Sequence, residues 1–154
     1  MTRRIAWAGA LLAAAILVAA CSSASSTPAP TAPATLPGTS WLLSLQGGSA
    51  PAARQLPTLV FGTDGTVSGF TGCDPYTGTF TVNGQTLAFA GLARTPSNNQ
   101  CAPEVVTAAD AFMAALGGVT GWRAEVLPAA SGVTMLQPVR LFLAGSTPLI
   151  LTLQ

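Results

Sequence analysis

From Thr39 to Gln154 the chain is a series of short apolar runs split by turn residues. Ser40–Leu45 reads as a first strand, and Gln46–Pro57, rich in Gly and Pro, as a loop. Thr58–Phe61 and Thr66–Phe70 flank Asp64-Gly65, and Thr79–Val82 and Gln85–Phe89 flank Asn83-Gly84. Both dipeptides supply the backbone freedom a tight hairpin needs. Phe80 and Val82 alternate with Thr, and Leu87 and Phe89 with small residues, so one face is buried and the other wet, as in antiparallel sheets. Val105, Ala109, Phe112, Met113 and Leu116 recur at three- and four-residue spacing, which predicts a helix over Pro103–Leu116. Pro103 suits its first turn and Gly117-Gly118 its end. Gly121–Val126, Val133–Leu136, Val139–Leu143 and Leu149–Leu153 are further strands. The expected architecture is α+β: a curled antiparallel β-sheet of about 7–9 strands wrapped around a single α-helix.

The beginning of the chain has a different pattern. Arg3 and Arg4 precede an unbroken apolar or small-residue run, Ile5–Ala20. A membrane span needs roughly 20 apolar residues, so the run is short for one and reads as a signal peptide over residues 1–20. Val18-Ala19-Ala20-Cys21 matches the bacterial lipobox, in which small residues admit the peptidase and the cysteine sulfur carries diacylglycerol. The alternatives are an uncleaved anchor, or ordinary secretion with an incidental cysteine. Cys21 is therefore the expected lipidation site, and the partner it implies is a membrane. The protein would sit on the outer side of the cell membrane, in the bacterial envelope. Residues 21–38 then form a Ser/Thr/Pro/Ala-rich linker, with Leu36 its single large apolar side chain, and residues 39–154 the domain. Such a linker favours extended polyproline II, at about 3.1 Å per residue.

Composition narrows the chemistry. Of 154 residues only 7% are charged, with 6 basic side chains, all Arg, against 5 acidic ones, and there is no His. No imidazole and no lysine amine means no His base, no Schiff base and no His-containing metal site. A net charge of +1 provides no basic stripe for nucleic acid. No cofactor motif is present: Gly69-x-x-Gly72 lacks the helix and Lys of a phosphate loop.

With this order in place, Thr39-Ser40-Trp41, the segment Val67–Phe80 containing Gly72-Cys73-Asp74-Pro75-Tyr76-Thr77-Gly78, and the Thr95–Cys101 stretch resemble the META domain family, also called HslJ-like. The resemblance covers about residues 39 to 154. Asp74 stands where that family usually has Asn, the Thr95–Cys101 spacing is long, and Leu127–Pro138 looks like an insertion. The resemblance implies an antiparallel sheet around one helix, often on an envelope lipoprotein, with a role in envelope stress, and brings no agreed catalytic activity.

If Cys21 is acylated, Cys73 and Cys101 remain, and outside the cytoplasm they are expected to pair as a disulfide, with two buried thiols the alternative. Asp74 is the only carboxylate in the main motif. It reads as a bonding partner for loop amides rather than a base. Ser97-Asn98-Asn99-Gln100 reads as a solvated tip, and Trp41 and Trp122 as core. The function expected is a non-enzymatic binding or structural module of the envelope, without cofactor or metal, whose partner is an envelope protein. The alternative is a carrier of a lipid-like or amphiphilic ligand held within the curled sheet.

Overall fold

The computed structural model describes residues 31–51, 55–97, 100–128 and 138–154. The signal peptide, Cys21, residues 22–30 of the linker, Asn98, Asn99 and the candidate strand Val133–Leu136 lie outside them. Among the described residues there are eight strands and one helix: β1 (Ser40–Gln46), β2 (Thr58–Phe61), β3 (Thr66–Phe70), β4 (Pro75–Asn83), β5 (Thr86–Arg94), α1 (Pro103–Gly117), β6 (Val119–Val126), β7 (Val139–Gly145) and β8 (Leu149–Leu153).

The strands form a closed antiparallel barrel in chain order. The expected curled sheet around a helix is correct in its parts and lacked one step, the closure of β1 on β8 from Trp41↔Leu153 to Gln46↔Leu149. Both strands alternate buried and half-buried positions, so each offers an apolar inner row to the same core. Closure removes the two edges an open sheet would expose. The inner row includes Trp41, Leu43, Leu59, Phe61, Val67, Tyr76, Leu141 and Leu151, all at most 1% exposed. The helix turns Ala109, Phe112, Ala115 and Leu116 into this core, as its spacing predicts. Pro103 occupies its first turn, where a missing N–H costs nothing.

Two turns differ from their reading by the position of one glycine. In the first hairpin Gly62 N–H bonds Thr66 O, so the loop is the three residues Thr63, Asp64 and Gly65. Gly65 takes the left-handed position (φ 84°) and Asp64 Oδ1 accepts from the Thr66 N–H and hydroxyl. In the second, Asn83 pairs with Thr86, so the loop is Gly84-Gln85 rather than Asn83-Gly84. Gly84 at φ 57° then holds the first central position, where a type II′ turn requires glycine.

The end of the segment read as linker is part of the domain. Leu36 is fully buried in the core cluster and Ala32 packs against it. Leu36 O accepts both the N–H and the hydroxyl of Thr39, and Gly38 N–H bonds Phe61 O at 2.7 Å. A Pro-rich composition argues against burial on average, but one leucine at the right place is enough to fix a strap across the barrel.

Candidate functional site

The segment Thr71–Tyr76 enters β4 through a compact loop. Thr71 is buried, and its hydroxyl oxygen accepts the N–H groups of Cys73 and Asp74 at 3.3 and 3.0 Å. Thr71 N–H in turn bonds Asp74 O at 2.9 Å. This knot of local bonds points Asp74 outward. Its Oδ1 accepts from both the N–H (2.9 Å) and the hydroxyl (2.7 Å) of Ser97. Four residues further on, Cys101 is bonded to Cys73, with Cα atoms 5.9 Å apart. The loop before β4 and the loop before α1 are thus held together twice, once covalently and once through a carboxylate. A third tie lies along the helix, where Arg94 of β5 meets Asp110 of α1 at 2.6 Å.

The sequence reading of Asp74 as a bonding partner is what the geometry displays, but its partner was not foreseen. Ser97 belongs to a stretch read as a solvated tip, and it serves as half of the clasp. Trp41 is fully buried and its indole N–H bonds the Thr39 hydroxyl at 2.7 Å. Trp122 is half-buried, and its indole N–H bonds Gly84 O. Tyr76 donates to Thr58 O at 2.8 Å and packs edge-on against Phe112. Burial pushes its hydroxyl far above the ordinary range, so it stays neutral.

The Ser97 hydroxyl and N–H hold the Asp74 carboxyl below its ordinary value of 3.8, with the Arg94 charge a smaller aid. A carboxylate held this way is a poor proton acceptor. The Ser97 hydroxyl lies against a carboxylate with no imidazole or amine in reach, since the chain contains neither His nor Lys. Among the described residues no group of three or more His, Cys, Asp or Glu could hold a metal. A cleft of about 330 Å³ opens where Pro33 and Ala34 cross Gly84, Gln85, Trp122, Arg123 and Ala124.

Asp74 has a pH signature. Its folded value is depressed, so its contribution to stability is present above pH 3.8 and is lost as pH falls through the lower folded value. Asp64, lowered by the Thr66 hydroxyl and N–H, acts in the same direction. An Asn at 74 offers a carbonyl to the same Ser97 donors but does not titrate. Asp74→Asn is expected to flatten the fall in stability below pH 3.8, measured by urea unfolding at stepped pH. An unchanged slope would remove Asp74 from the acid response.

A sequence profile of the META domain matches residues 34–142. An NMR structure of a protein from Burkholderia xenovorans is 26% identical, covering 77% of this chain and 83% of that one with a TM-score of 0.54. A second NMR structure, 22% identical over 77% of this chain and 91% of its own, has a TM-score of 0.52. A DUF4847 family protein from Bacteroides vulgatus ATCC 8482 shares the fold at 14% identity, over 76% and 93% of the two chains, with a TM-score of 0.50. Among curated proteins none matches the chain. The profile begins two residues before buried Leu36 and takes in the Thr71–Ser97 clasp, and on that match the chain belongs to the META domain family.

Proposed function

We propose that the chain is a lipid-anchored protein of the bacterial envelope whose barrel binds a partner or supports the envelope without catalysing a reaction. The observation that carries the role is the filling of the interior. Trp41, Phe61, Tyr76, Phe112 and a set of leucines occupy the space inside the strands. A carrier of amphiphiles needs that space for its ligand, typically several hundred Å³. A filled core leaves the outer surface and the loops as the working parts. The Asp74–Ser97 pair, the best candidate for acid–base chemistry, is engaged in joining two loops. The lipobox Val18–Cys21 supports the location. Two or more acyl chains would hold the protein stably, where one gives marginal binding.

Mass spectrometry of the protein extracted from its native membrane tests both parts. The expected chain begins at Cys21, carries diacylglycerol there, and has no further lipid bound in stoichiometric amount. A chain that retains Met1, or an unmodified Cys21, overturns the anchor. One bound lipid per barrel overturns the filled-core role in favour of the carrier.

A further inference from the structure

Eight antiparallel strands that close in chain order put alternate strand ends at the same end of the barrel. One end gathers the start of β1, the β2–β3 turn, the β4–β5 turn, the end of β6, the start of β7 and the end of β8. The disulfide-linked loops before β4 and before α1 lie at the other. The strap arrives at the first end, where Pro33 and Ala34 cross beside Gly84 and Trp122. That end also has an apolar rim. Val82 continues the inner row of Phe80 on β4, and Leu153 that of Leu149 and Leu151 on β8. Both run past the core and are 38% and 37% exposed. Trp122 is half-buried at the same end, its indole N–H given to Gly84 O. The charges nearby are already engaged: Asp64 accepts from Thr66, and Arg123 pairs with Glu125.

We propose that this end of the barrel rests on a lipid bilayer, with Val82 and Leu153 among the headgroups. The inference rests on the lipidation of Cys21 proposed above. Ten residues, 21–30, precede Thr31 from the lipidation site onward. No chain reaches further than about 3.6 Å per residue, so an anchored Cys21 keeps Thr31 within about 36 Å of the membrane. The nine-residue strands β4 and β5 each span about 30 Å. Turning the clasp end to the membrane would use nearly the whole tether, whereas the strap end meets it with slack. Two aliphatic side chains bind a bilayer weakly on their own. The tether makes the contact intramolecular, at high effective concentration, so a weak contact is populated. An indole with an apolar body and a polar end suits the same boundary. Because the contact is apolar, it should persist in salt.

Trp122 reports the contact, because Trp41 is fully buried and Trp7 precedes Cys21. The mature protein, its N-terminal mass confirmed, is placed in phosphatidylcholine vesicles whose acyl chains carry bromine near the headgroup. Its fluorescence is expected to be quenched relative to unbrominated vesicles, equally at low and high salt. Val82→Asp with Leu153→Asp should weaken the contact about tenfold and remove most of the quenching. Leu56→Asp, at an equally exposed leucine just before β2 at the clasp end, should leave it unchanged. Circular dichroism checks each fold; if the double variant misfolds, Val82→Thr, close to valine in shape, should still lower the quenching. Anchored wild type without quenching, or quenching lost equally in Leu56→Asp, overturns the bilayer contact and leaves the anchor standing. An unmodified Cys21 overturns both. A dimer that Val82→Asp dissolves in sedimentation assigns the rim to a second copy and overturns the proposal.

Discussion

Cys73→Ser is expected to cost roughly 3–4 kcal/mol of stability, the chain-entropy value for a loop of this length. For a domain of this size that lowers the melting temperature on the order of 10–20 °C. The bond joins residues 28 apart in sequence, the start of β4 to the threshold of α1. Between them lie β4 and β5, which form one long hairpin. Opening the bond frees this hairpin and the helix to separate in the unfolded chain, which raises its entropy. The folded state keeps the Asp74–Ser97 bonds, so the native loops should stay together when reduced. Wild-type protein melted with and without reductant should therefore show the shift, and Cys73→Ser should be insensitive to reductant. Equal melting of wild type in both conditions would mean that the two sulfurs contribute only packing.

The second large effect is expected at Leu36→Ala. The side chain is fully buried among Trp41, Phe61 and their neighbours, and truncation of such a leucine costs about 2–5 kcal/mol. Denaturant titration gives the value directly. Pro37→Ala is the control, because Pro37 is exposed in the same strap. A Leu36→Ala protein within error of wild type would return the strap to the linker.

Leu36 also illustrates where the sequence was legible and where it was not. Alternation identified most of the strands because one face of each is buried, and the helical spacing identified α1 to within a residue. β4 starts four residues before its reading, at Pro75 rather than Thr79, because Pro75 and Gly78 are poor strand formers. Their strand state comes from pairing with β3 and β5. β5 was cut at Phe89 for a related reason: Ala90-Gly91-Leu92-Ala93 has weak intrinsic preference for a strand, and a bulge opposite Thr77–Thr79 carries the pairing through. Barrel closure left no local mark, since β1 and β8 each look like ordinary half-buried strands. The site divides in the same way. Asp74, Cys73 and Cys101 stood out by residue type. Ser97 did not, because a serine in a polar loop looks the same whether it faces water or a carboxylate 23 positions away.

Pairing of β1 with β8 also ties folding to biosynthesis. The inner row of β1 is covered on one side by β2, close in sequence, and on the other by Leu149–Leu153, the last strand described. Until those five residues are available, Trp41, Leu43 and Leu45 have an open flank and the barrel has two free edges. A translating ribosome delivers them after all seven other strands. The barrel therefore cannot close on the nascent chain until Leu149–Leu153 has been made. Truncating the final strand would leave both edges exposed, a state that favours aggregation.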